Sequence, residues 1–201
     1  MIDRVRYFFG IGSLIVLPPG LLFWFVIHPW ARWWRRCGPL RTYFVVVPVM
    51  AALGALLFHF REPLLGTNLG TNWSLVAVAF VLYAGVIWLE FQYWRHLSFA
   101  TLVGITELSH SGQQKGRLMQ EGIYGIVRHP RYLSAAVSVI ANALFINYSG
   151  LYLLVLFLAP AGYLMLVLEE CELIERFGEE YRKYQRGVPR LIPRWRKTNR
   201  E

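Results

Sequence analysis

Apolar and charged residues in this chain fall in long blocks. Four stretches carry no Asp, Glu, Lys or Arg: Tyr7 to Ile27, Thr42 to Phe60, Pro63 to Leu89 and Tyr132 to Leu168. About 20 apolar residues make a helix that crosses a bilayer. Each of the first two stretches suits one span, and the third becomes apolar from Trp73. The fourth is too long for one span and is interrupted by Asn147-Tyr-Ser-Gly150, a turn-like sequence, so it reads as two helices in a hairpin. The pattern predicts an all-α integral membrane protein, one membrane domain over residues 1–201. Its five transmembrane helices are expected at about 7–27, 42–60, 73–91, 131–146 and 151–169. Pro18-Pro19-Gly20 sits in the middle of the first span and predicts either a kinked helix or a re-entrant hairpin. The long apolar stretch, with no small-residue cleavage site before Trp30, makes this a span and not a leader.

Beyond the last span, Leu173, Ile174, Phe177, Tyr181 and Tyr184 recur at helical spacing. They predict an amphipathic tail helix that lies on the membrane surface, where it can also lid a site. The charges orient the bundle. Eighteen of the 21 Lys and Arg fall in 28–41, in 92–131 and after Cys171; Arg4, Arg6 and Arg61 fall on the other side. Positive loops face the cytoplasm, so the C-terminus is expected there and the N-terminus outside. Hydrophobic residues make up 56% and charged residues 16%, well under the quarter typical of soluble domains. A soluble enzyme is thereby disfavoured. The net charge of +9 follows from topology and anionic lipid and needs no nucleic acid. His28 to Arg36, rich in Trp and Arg, reads as an interfacial belt. Cys37 and Cys171 are expected as free thiols on the cytoplasmic side, and no metal site is expected.

The chemistry gathers on that side. Pro130 suits the first turn of the fourth span, where its missing N–H is no loss. Arg128 and His129 then stand at a helix N-terminus, a place that favours an anion, and Arg131 adds to it. The fifth span returns to the same surface and ends in Glu169 and Glu170. Carboxylates there are costly unless hydrated or paired. One end therefore offers both signs of charge, a match for a zwitterionic ligand. A plain salt bridge from Arg128 or Arg131 to Glu169 or Glu170 accounts for the same residues.

Two segments taken together carry a resemblance. Gly122-Ile-Tyr-Gly-Ile-Val-Arg-His-Pro-Arg-Tyr132 is followed by Glu169-Glu170, then by Leu173-Ile174, Phe177-Gly178, Glu180-Tyr181 and Tyr184, with Val188-Pro189 and Ile192-Pro193 closing the pattern. Residues 115–193 so resemble the isoprenylcysteine carboxyl methyltransferase family and the related integral-membrane phospholipid N-methyltransferases. The resemblance implies S-adenosylmethionine as cofactor, held at the cytoplasmic face by Gly116, Arg117, Leu118, Met119, Tyr124, His129, Pro130, Arg131, Tyr132 and Glu169. It implies methyl transfer to a lipid or lipophilic small molecule that enters between helices. The reaction is an in-line displacement that needs alignment and exclusion of water. An amine or hydroxyl acceptor also needs a base, for which Glu170 and His129 are nearest. His129, Glu170 and Arg128 are thus the candidate catalytic residues.

The departures from the family pattern bear on the acceptor. An arginine expected four residues before the Glu pair is Met165 here, and a thioether cannot pair a carboxylate. An amine, hydroxyl or neutral headgroup gains weight. Ser134 stands where a Gly is common. Glu107 and His110, in a loop without the usual Gly/Trp lead-in, are loop residues or substrate contacts. Asn142 is a helix–helix hydrogen bonder or part of the substrate wall; with Met165 it completes the candidate substrate contacts. A membrane reductase of the sterol type using NADPH shares an Arg-His-Pro-like element and a Tyr-rich tail. A non-catalytic accessory protein would use the same charges as interface anchors.

Overall fold

The structure, a computed structural model, describes residues 1–27, 29–94 and 118–193. They form α1 (Ile2–Ile27), α2 (Ala31–Cys37), α3 (Pro39–His59), α4 (Arg61–Leu65), α5 (Trp73–Trp94), a 3-10 turn (Gly122–Gly125), α6 (Pro130–Ile146), α7 (Ser149–Phe177) and α8 (Glu179–Gly187). Among the described residues the only strand-like pairing is one bridge, Asn68 with Tyr148. Helices α1, α3, α5 and α7 are long and apolar enough to cross a membrane. With 17 residues, α6 is shorter, about 25 Å at the helical rise. Their outward faces carry exposed apolar side chains, Val49, Phe80, Val81, Leu156 and Phe157 among them. Such faces suit lipid and not water.

Pro18 and Pro19 both lie inside α1, which runs on as one helix without reversing. A proline leaves the carbonyl four residues back without its donor. For Pro19 that carbonyl is Ile15, and α3 presents Gly54 to it; a Cβ there would stand 3.4 Å from the oxygen. The helices approach closely where the side chain is smallest, as membrane helices do.

The α6–α7 hairpin turns on Asn147, whose backbone is left-handed (φ 51°). Gly150 opens α7 against the backbone of α4, and a Cβ on it would overlap the Leu64 carbonyl oxygen. No other residue fits there without moving α4. Around this corner Ile11, Leu14, Leu65, Ala143, Ile146, Leu151 and Leu154 form the main buried core.

Arg6 is the polar anchor of that corner and is fully buried. Its guanidinium donates to the carbonyls of Ile146 (2.9 Å) and Gly70 (2.7 Å), to Thr71 Oγ1 (2.8 Å), to Asn68 Oδ1 (3.1 Å) and to Asp3 Oδ1 (2.9 Å). It joins the start of α1 to the α4–α5 loop and to the end of α6. Sequence patterning had counted Arg6 only as a minority charge on the outer side. Its sequence neighbourhood gives no hint of these partners, most of which lie more than 60 residues away.

Replacing Arg6 by Met strands several buried acceptors at once. The expected loss of stability is roughly 3 kcal/mol, measured by thermal unfolding in detergent. Asp3→Asn, at a largely exposed carboxylate, should cost less than about 1 kcal/mol. An Arg6→Met protein as stable as wild type would show that the corner holds by apolar packing alone.

Candidate functional site

At the opposite end of the bundle α5, α6 and α7 meet the 3-10 turn and α8. Pro130 is the first residue of α6, and a residue before proline is kept out of the helical region. His129 accordingly has φ −125° and ψ 64°. Val188 precedes Pro189 and is extended for the same reason. Two non-helical segments thus face each other, and their backbones pair: Arg128 N–H donates to the Pro189 carbonyl (2.9 Å) and His129 N–H to that of Arg190 (3.2 Å).

The carboxylate of Glu170 lies between them, buried. Its Oε1 accepts from Arg128 Nη2 (2.7 Å) and Nε (3.1 Å) and pairs with His129 Nε2 (3.0 Å). Oε2 accepts from Arg190 Nη2 (2.5 Å). The other face of the Arg128 guanidinium donates to the carbonyls of Gln185 (2.9 Å) and Val188 (2.6 Å). It caps the end of α8, where a positive charge meets unpaired carbonyls. The Tyr184 hydroxyl donates to the Tyr124 carbonyl (2.5 Å), and Arg190 Nη1 donates to the Tyr163 hydroxyl. The tail is therefore bolted to the mouth of the α6–α7 hairpin.

Glu169, adjacent in sequence, is different. It is half-buried and makes no hydrogen bond or ion pair with another described residue. Its charge reaches the phenols of Tyr124 and Tyr181. Burial first, then Glu169, pushes the Tyr124 phenol up to about 12, against a lowering by Arg131. Tyr124 therefore stays protonated at neutral pH. The Arg131 guanidinium stands 5.8 Å from the centre of the Trp24 ring on α1, and Tyr132 meets the His129 ring edge-to-face. Arg128, His129, Pro130, Arg131, Tyr132, Tyr124, Glu169 and Glu170 all belong to this one end. Leu118 and Met119 are half-buried just before the 3-10 turn. Gly116, Arg117, Glu107, His110 and His28 lie outside the described residues.

The two candidate substrate contacts sit along the helices. Met165 is buried on α7, one turn before Glu169. Asn142 on α6 accepts a hydrogen bond from the Tyr83 hydroxyl of α5 (2.5 Å). Nearer the mouth, the Ser134 hydroxyl donates to Glu90 of α5 (3.4 Å). Sequence reading missed Arg190, Glu90 and Tyr163. The one available signal was Val188-Pro189, which requires an extended segment before Arg190 but does not say what it faces.

A family model described as phospholipid methyltransferase matches residues 70–180. The chain belongs to this family. The match starts ahead of α5, outside the residues 115–193 that carry the resemblance in sequence, and stops within the first turn of α8. Methanethiol S-methyltransferase 2 of Bradyrhizobium diazoefficiens is 28% identical over 177 residues, covering 81% of this chain and 64% of that protein. Methanethiol S-methyltransferase 1 of the same organism is 36% identical over 83 residues, 38% of this chain and 26% of that protein. The chain thus spans less than two thirds of the length of either relative. No solved structure matches it. As a phospholipid methyltransferase family member, it carries the polar cluster around Glu170 at one end of its apolar helices.

Glu170→Gln removes the only negative charge in direct contact with Arg128 and Arg190 among the described residues. Two guanidinium groups would then share one buried place, at an expected cost of roughly 3–5 kcal/mol. Trypsin should cut after the exposed Arg182 and Lys183 many times faster than in wild type. Glu169→Gln should leave the cleavage rate unchanged. Equal rates in both variants would show that Glu170 does not hold the tail.

Proposed function

We propose that this protein transfers a methyl group from S-adenosylmethionine to a lipophilic acceptor at the cytoplasmic face of a membrane. The family supports the reaction class. The observation that carries the reading is Glu169, a half-buried carboxylate with no hydrogen bond or ion pair to another described residue, beside a cluster whose other carboxylate is fully committed. A buried charge calls for an opposite one. The amino-acid end of the cofactor has an ammonium to give it.

The cofactor, when bound, supplies a sulfonium methyl open to in-line displacement. The chain's residues do the rest. Glu169 holds the ammonium, and Tyr124, Tyr132 and Arg131 wall the pocket, with Leu118 and Met119 at its edge. Gly116 and Arg117 are assigned to the same pocket by the resemblance. Glu170 and Arg128 are saturated and orient their neighbours. His129 has one ring nitrogen on Glu170, which leaves the other to take a proton from an acceptor that carries one. Met165 places a thioether one turn below Glu169 and offers nothing to an anionic acceptor. An amine, hydroxyl or thiol is the acceptor class. The relatives' printed activity toward methanethiol puts a small thiol among the compounds to test. Asn142, fixed by Tyr83, borders the way in from the lipid. In this arrangement α6 spans with α7 as a fifth membrane helix, α8 roofs the site on the cytoplasmic side, and the N-terminus lies outside.

Calorimetry on detergent-purified protein tests the cofactor. Wild type should bind S-adenosylmethionine, and Glu169→Gln should bind at least about tenfold more weakly, the scale of one charge-assisted hydrogen bond. Uptake of labelled methyl by methanethiol and by phosphatidylethanolamine vesicles then sorts the acceptors. Folded wild type that binds no S-adenosylmethionine would sink the proposal.

A further inference from the structure

Two donors in α8 and the segment after it are buried and unmet among the described residues. Tyr181 of α8 is 1% exposed, and its hydroxyl has no hydrogen-bond partner among the described residues. The Nε–H of Arg190 is buried and unpaired as well. Buried polar atoms are almost always satisfied, so exceptions mark a place where a water or ligand belongs. Arg190 pairs with Glu170, and the Tyr181 ring meets that of Tyr184 edge-to-face on α8, the helix whose end Arg128 caps; the Tyr181 phenol feels the charges of Glu170, Arg128 and Glu169. Burial and those carboxylates push that phenol up, so it remains an O–H donor.

The charge balance points the same way. One carboxylate, Glu170, contacts two guanidinium groups, Arg128 and Arg190, which leaves the cluster with an excess positive charge. Several donors on the α6 side are already used. Arg128 is spent on Glu170, Gln185 and Val188, the Nε2 of His129 on Glu170, and the amides of residues 128 and 129 on tail carbonyls. An anion arriving at this end finds two unmet donors on the tail, the Tyr181 hydroxyl and the Arg190 Nε–H, while Glu169 stands ready for a cation.

We propose that Tyr181 and Arg190 bind the carboxylate of the methyl donor's amino-acid end, so that the tail completes the donor site. The inference rests on the methyltransferase reading and adds to it residues that lie beyond the matched family region, 70–180. Binding of an anion there supplies the missing acceptor and tightens the tail over the site. The tail is then a part of the specificity for an intact amino-acid group, and not only a cover.

Two probes separate this role from a structural one. S-Adenosylhomocysteine carries the carboxylate and ammonium; 5′-methylthioadenosine has the same nucleoside sulfide without them. Tyr181→Phe deletes one hydroxyl that no described residue uses, so the ligand-free variant should unfold at or slightly above the wild-type temperature. It should bind S-adenosylhomocysteine about tenfold more weakly and 5′-methylthioadenosine as wild type does. Tyr184→Phe, which removes a hydroxyl already given to Tyr124, should shift both ligands alike or neither. If Tyr181→Phe weakens both probes equally, or leaves S-adenosylhomocysteine unchanged, the tail does not hold the carboxylate and the inference falls while the methyltransferase reading stands. If folded wild type binds neither probe, the donor assignment falls, and this inference with it.

Discussion

One buried carboxylate organises the tail end of this molecule. Glu170 accepts from Arg128, His129 and Arg190 at once. These groups come from the segment before α6 and from the tail, and the carboxylate itself comes from α7. Ion pairs taken out of water contribute little when they form and cost much when one partner is lost. Their value here is positional. A single negative charge requires two guanidinium groups to sit on either side of it, and those groups carry the tail backbone with them.

The same logic with the sign reversed governs the other end. Arg6 is a buried cation surrounded by carbonyls, amides and one acid, and it draws together α1, the α4–α5 loop and the end of α6. Between the two anchors the helices are mostly apolar, with Tyr83–Asn142 and Ser134–Glu90 as polar contacts of α5 with α6. Apolar side chains gain little by leaving lipid for one another, so packing alone discriminates weakly among arrangements. The polar anchors and close backbone approaches, such as Gly54 at Ile15 and Gly150 at Leu64, supply discrimination that hydrophobicity cannot. The α6–α7 hairpin is held at its turn by Arg6 and at its mouth by Glu170, which keeps Glu169 and Tyr124 in a fixed relation.

Neighbouring residues in this site have opposite situations. Glu169 and Glu170 are chemically alike and adjacent, yet successive helical positions point about 100° apart. One falls among three donors, and the other falls where no described residue answers it. A saturated carboxylate is suited to hold structure, and an unanswered one is suited to hold a ligand. Arg128 and Arg131 divide in the same way: Arg128 turns inward to the carboxylate and the end of α8, and Arg131 turns toward Trp24 on α1.

The sequence by itself determined the membrane character, the helical class and the end at which the chemistry gathers. These follow from one-dimensional facts: lengths of charge-free runs, a turn at Asn147 to Gly150, and the clustering of Arg, His and Glu next to Pro130. Its motifs also brought Arg128, His129, Glu169 and Glu170 together, because a short hairpin leaves no other place for them. Only the tertiary structure decided between a continuous and a reversed first span: α1 runs through Pro18 and Pro19 as one helix, with Gly54 of α3 close to the Ile15 carbonyl. It alone assigned Glu170 to Arg190, showed Arg6 as an anchor, and left Tyr181 without an acceptor. Each of these depends on which face of one helix meets which segment many residues away. Charge and spacing along the chain carry no record of that meeting, because a buried polar group is defined by all its neighbours in space.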